Sequence, residues 1–178
     1  MSTRSFARFA AAALALALPC AAFAEDGPNL GKPISQADLA LWDISIGPDG
    51  VGLPPGSGTV QQGEAVFMTK CQGCHGAKGA GQPNDRLVGG QGTLAGDRPA
   101  IKTVGSYWPY ATTLFDYVRR AMPLPESKSL SSDELYAVVA YVLNLNGVVP
   151  DNAVMNAETL PMVRMPNRDG FITFKRGE

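Results

Sequence analysis

The 178 residues carry 15 basic and 16 acidic side chains, a formal charge of -1 with no long charge run. That balance excludes the basic surface of a nucleic-acid-binding chain, and the length suits one domain with extensions. Twenty glycines and fourteen prolines break the chain into short pieces, so helices separated by irregular stretches are expected and no strand ladder.

Arg4 and Arg8 precede an apolar run from Phe9 to Leu18, which leads into Ala22-Phe23-Ala24. This three-part pattern reads as an export signal over 1–24, cleaved after Ala24. The run falls short of the ~20 residues of a spanning helix, so no stable membrane insertion is expected. Cleavage removes Cys20, two arginines and no acid, leaving a periplasmic chain of net charge -3 whose only cysteines are Cys71 and Cys74.

Residues 25–58 read as an N-terminal arm. Ser35-Gln36-Ala37-Asp38 signals a short helix near 36–42, and a turn cluster, "GPDGVGLPPGSG", follows. The domain proper runs over 59–147. Thr59 is a good N-cap with Gln62 three residues on; Val60, Gly63, Phe67 and Cys71 then share one helical side and lead into the cysteine pair. Met68, on the same helix, reads as core packing.

Cys71-Gln72-Gly73-Cys74-His75 contains the chain's one histidine. Cys-x-x-Cys-His is the attachment signature of c-type haem: two thiols add to the porphyrin vinyl groups, and the adjacent imidazole ligates iron. A structural zinc site wants four Cys or His donors, and the mature chain has three. A thiol redox pair wants a βαβ setting that is not apparent here.

Residues 76–108 hold eight glycines and little periodicity. So long a loop needs something else to fill the core, and a porphyrin would. A helix over about 110–121 can start with Pro109 in its first position and stop before Pro123. The clearest helix is 132–146, capped by Ser131 with Glu134 and ending at Gly147; its apolar stripe is broad enough to pack on more than one side. Residues 148–178 read as a tail.

With His75 the sole histidine, methionine is the leading ligand for the far side of the iron. Met68 sits one turn before Cys71 on the same helix and cannot cross the porphyrin plane. Met122, in the proline-stiffened "RRAMPLP", is the candidate axial ligand; Met155, Met162 and Met165 belong to the tail. The alternative is an open or lysine-filled sixth position. Trp108 and Tyr107, with Arg98, are candidates for contacts to a haem propionate, the alternatives being core packing and a solvated arginine. Arg119 and Arg120 either steer a partner or form a solvated helix end.

The order of these features resembles the class I cytochromes c: Gly63 and Phe67, the cysteine-histidine motif, "LVGGQ" at 87–91, Met122-Pro123, then Val138 and Tyr141. The resemblance implies an all-α class I cytochrome c fold around one covalent haem c, with the Gly63 helix crossing the terminal helix closely. Members commonly have a proline where this chain has Asp85, and its carbonyl accepts the histidine ring N–H. Pro83 is the expected substitute here.

"KTVGSYWPYATTLFDYVRRAMP", "YVLNLNG" and "MPNRDGFI" resemble the cytochrome subunits of sulfite and sulfur dehydrogenases, including that of the Sox system. That resemblance implies a molybdenum-containing catalytic partner, a soluble electron acceptor such as another cytochrome c, and no catalytic site in this chain. A free-standing shuttle cytochrome, or a haem enzyme or sensor with an open sixth site, are the alternatives.

Overall fold

A computed structural model describes residues 30–97 and 99–172. The expected export segment and Arg98 lie outside the described residues, which fall into two units, one up to Asp38 and one from Leu39. Ser35 accepts the Asp38 N–H at 3.1 Å and so starts α1 (Gln36–Ala40).

Capping fixes the two main helices. At α2 (Val60–Lys70) the Thr59 hydroxyl accepts the Gln62 N–H at 3.1 Å, and the Gln62 side-chain oxygen accepts the Thr59 N–H at 2.9 Å. Cys71 separates α2 from the four-residue α3 (Gln72–His75). α4 (Ala111–Ala121) begins later than expected, leaving Pro109 outside its first turn. Tyr110 is the extended cap, held by the Thr113 hydroxyl on its carbonyl at 2.9 Å and the Arg168 guanidinium 4.2 Å from its ring centroid. At α5 (Ser132–Leu145) the Glu134 carboxylate accepts the Ser131 N–H at 2.8 Å, and this bond holds the carboxyl below its ordinary 4.5. Gly147, at φ 68°, ends the helix where a left-handed residue is needed.

Every residue of α5 from Leu135 to Leu143 is buried, as its broad apolar surface predicts. α2 crosses it at Gly63, where an added Cβ would overlap the Ala137 carbonyl and come within 2.8 Å of the Tyr141 Cβ. One turn on, the Phe67 and Tyr141 rings meet with centroids 5.4 Å apart. Full burial of a side chain such as Phe67 contributes about 1.5–3 kcal/mol, so the glycine matters because it lets that contact close.

Contrary to the expectation of no ladder, β1 (Ser57–Thr59) pairs antiparallel with β2 (Val154–Asn156), setting Gly58 opposite Met155. Strands of three residues give no alternation for a sequence reading to detect. Met155, Leu160 and Met165 are buried in the same core as α5, so the tail is part of that core.

The stretch before β1 is also tied down. The Ile46 N–H donates to Asp116 Oδ1 at 3.0 Å, and Arg120 bridges Asp116 at 2.9 Å and the Ser45 hydroxyl at 2.8 Å. Arg119 donates to the Ile44 carbonyl at 3.4 Å. The arginine pair therefore clamps residues 44–46, a role neither sequence alternative included. Tyr136 adds a bond from its hydroxyl to the Pro54 carbonyl at 2.8 Å. Among the described residues no helix is long and apolar enough to cross a membrane.

Candidate functional site

Cys71 is a hinge between two helices, where the sequence suggested the end of one. Its N–H donates to the Phe67 carbonyl at 2.9 Å, closing α2, and its own carbonyl accepts the Cys74 and His75 N–H groups at 3.1 and 3.0 Å, opening α3. Both thiols are free; Cys71 is half-buried against the core and Cys74 is exposed. Burial, and then the neighbouring Cys74, push the Cys71 thiol up to about 11 against a smaller opposing pull from Lys70. A thiol redox centre needs the opposite shift, toward a reactive thiolate.

His75 is half-buried, and its Nδ1 lies 2.9 Å from the Asp85 carbonyl oxygen. A carbonyl can only accept, so this bond puts a ring proton on Nδ1, the tautomer in which a neutral imidazole ligates through Nε2. The acceptor is Asp85 itself and not the expected Pro83. Register explains this: the backbone position is set by main-chain bonds around it and does not require a proline ring. The Asn84 N–H donates to the Cys74 carbonyl at 2.9 Å, the Gly81 N–H to the His75 carbonyl at 2.8 Å, and the Leu87 N–H to the Gly79 carbonyl at 2.8 Å. Gly76 permits the fold-back: at φ 73°, any Cβ there would overlap the Gly81 carbonyl.

Met122 closes α4. Its N–H donates to the Val118 carbonyl at 3.0 Å, its backbone is extended, and the residue is half-buried. Met155 and Met165 keep 5% and 1% of their surface exposed, which leaves them no face for another group, whereas Met162 is 81% exposed. Met68 is exposed and not core packing as expected, because Phe67 takes the inward position and the next helical residue points about 100° away.

Trp108 is half-buried against the core, with its ring edge on Tyr117 at 5.5 Å between centroids. Tyr107 carries Phe171 edge-on at 5.3 Å and Lys102 Nζ 5.1 Å from its centroid, and its carbonyl accepts from Asn167 at 2.8 Å. Both propionate candidates thus have packing partners within the chain.

Two residues whose bonds shape the segment after His75 were not singled out by their side chains: Asp85, noticed only as a departure, and Asn146, noticed only within "YVLNLNG". A pattern search has no signal for either, since Asp85 acts through its backbone and Asn146 through bonds to residues more than fifty positions away.

These donors fit a c-type haem. Two thiols three positions apart stand beside an imidazole whose Nδ1 faces a carbonyl, and the described residues hold no group of three or more His, Cys, Asp or Glu suited to a metal ion. Cys71, Leu87 and Trp108 pack against the core while part of each surface stays open, as a large apolar group requires.

The comparisons agree. The cytochrome c family model matches residues 60–146. Among solved structures the chain is similar to the sulfane dehydrogenase SoxCD from Paracoccus pantotrophus, with 41% identity, a TM-score of 0.77, and coverage of 84% of this chain and 73% of that one. It is also 30% identical over 123 residues to the thiosulfate dehydrogenase of Psychrobacter arcticus, covering 66% of this chain and 37% of that protein. The chain therefore spans little more than a third of that curated relative.

Proposed function

The chain belongs to the cytochrome c family, and we propose that it is the monohaem electron-transfer subunit of a periplasmic sulfur-compound dehydrogenase. It takes electrons from a molybdenum-containing catalytic partner and passes them to a soluble acceptor such as another cytochrome c. The observation that carries this reading is His75, whose Nδ1–H is committed to the Asp85 carbonyl so that Nε2 is the ligating atom. The similarity to a sulfane dehydrogenase and a thiosulfate dehydrogenase supports the sulfur chemistry.

In this reading Cys71 and Cys74 would hold one haem through thioethers, and His75 and Met122 would ligate its iron. When bound, that group supplies one-electron redox chemistry. The chain's own residues set its environment: the Asp85 carbonyl raises the basicity of the imidazole. Trp108 and Tyr107, with Arg98, remain candidates to meet the propionates. No residue is asked to bind a sulfur substrate, which belongs to the partner.

The packing of residues 44–59 and 153–165 on the chain's own core favours, as second reading, a free-standing shuttle. Deleting the tail cannot separate the two, because Met155, Leu160 and Met165 are core residues. Affinity purification of the tagged chain from its native periplasm can. The subunit reading expects a molybdenum protein in stoichiometric amount; recovery of the haem-loaded chain alone, at low salt and without detergent, would favour the shuttle.

A further inference from the structure

We infer that Asn146 is a positioning residue for the iron-binding histidine: from the end of α5 it fixes the loop that carries the carbonyl acceptor of His75. This rests on the reading of His75 as an axial ligand. The Asp85 carbonyl that receives the His75 Nδ1–H lies in an exposed loop, and Asp85 has no ring to stiffen its own backbone. What fixes it must come from nearby, and two residues on the chain is held from three directions at Leu87.

The Leu87 N–H donates to the Gly79 carbonyl at 2.8 Å, which ties the loop back to the turn after His75. The Leu87 carbonyl accepts from the Val104 N–H at 3.3 Å and from Asn146 Nδ2 at 3.1 Å. The same Nδ2 donates to the Val142 carbonyl at 2.9 Å, so the amide is anchored to the last turn of α5. Its Oδ1 accepts the Gly89 N–H at 3.1 Å, and its own carbonyl accepts from Gln91 Nε2 at 3.2 Å. The Asn146 side chain thus gathers residues 87 and 89, and its backbone carbonyl residue 91, onto the end of α5.

Two further features are built around this amide. Gly105 leaves room for it, since an added Cβ would overlap Asn146 Oδ1. On the far side of Gly89, the buried Thr103 hydroxyl donates to the Gly89 carbonyl and accepts the Gly105 N–H at 3.1 Å. The loop is therefore held by polar bonds to α5 and to a buried hydroxyl. Its geometry passes through Leu87 to Asp85, and from Asp85 to His75.

The consequence is electronic as well as mechanical. A hydrogen bond from Nδ1–H to a carbonyl raises the donor strength of Nε2 toward iron and so favours the oxidised state. Slackening that bond moves the midpoint potential upward. A residue that merely stabilised the helix end would leave the potential where it was.

Asn146→Asp tests this in the haem-loaded full chain, because it keeps an acceptor for Gly89 and removes both donated bonds. Asn146→Ala removes all the side-chain bonds. Asn144→Ala is the control: Asn144 lies on the same turn but ties the tail, through the Val149 carbonyl at 3.1 Å and Asp151 at 2.9 Å. Asn146→Asp is expected to speed exchange of the His75 Nδ1–H at least tenfold and to raise the midpoint potential, with Asn144→Ala lowering thermal stability and moving neither. The inference is overturned if the Asn146 variants lose stability with proton exchange and potential unchanged, or if Asn144→Ala shifts them equally. A wild-type chain that takes up haem without a histidine ligand would overturn both this inference and the reading beneath it, and its spectrum distinguishes the two failures.

Discussion

Replacing Gly63 by alanine is expected to destabilise the folded chain by about 2 kcal/mol, lowering its melting temperature by roughly 6 °C in a calorimetric scan. Two effects oppose each other. Alanine is the better helix former by about 0.8–1 kcal/mol, which favours the variant. Against this, the new methyl group would meet the Ala137 carbonyl and the Tyr141 Cβ. Both neighbours belong to a buried helix, so relief requires the helices to separate and the Phe67–Tyr141 contact to open. Overpacking of this kind costs about 1–3 kcal/mol, occasionally more, and a backbone obstacle places it at the upper end. An unchanged or raised melting temperature would mean that the crossing is looser than described. Alanine at Gly73, where an added Cβ meets nothing within 4 Å, is the matched control.

Replacing Met122 by alanine is expected to remove the sulfur-to-iron charge-transfer absorption of the oxidised, haem-loaded chain and to lower its midpoint potential. A thioether ligand favours ferrous iron, and its loss leaves the site to water or to a nitrogen base. Met155→Leu and Met165→Leu should leave the absorption intact, since both side chains are enclosed by the core. Persistence of the absorption in Met122→Ala would remove Met122 as the ligand.

Local chemistry made much of this protein readable from its residues. Thr59 with Gln62 and Ser131 with Glu134 place the two main helices to within a residue, because a capping box is a short-range structure that needs no tertiary context. Cys71, Cys74 and His75 stood out for a similar reason, since in the proposed reading their spacing answers to a porphyrin edge. Gly63 was readable through the family resemblance, and the packing supplies its reason.

What escaped was long-range or carried by backbone. The strand pair 57–59 with 154–156 joins segments about a hundred positions apart and is too short to alternate. Arg119 and Arg120 looked like a surface pair because their partners, Ile44, Ser45 and the shared Asp116, come together only in the fold. The acceptor of His75 was assigned to the wrong residue because a carbonyl belongs to every residue alike. Met68 was misplaced by one helical step.

Covalent attachment of haem to Cys71 and Cys74 beside His75 is read from the mass of the acid-denatured wild-type chain. The protein should be produced in a host that exports it and carries haem-attachment machinery, then unfolded in acid so that any haem held only by iron ligation is released. A mature chain heavier by one haem is expected, with both thiols unreactive toward alkylation. A chain at its unmodified polypeptide mass, with two alkylatable thiols, would contradict it.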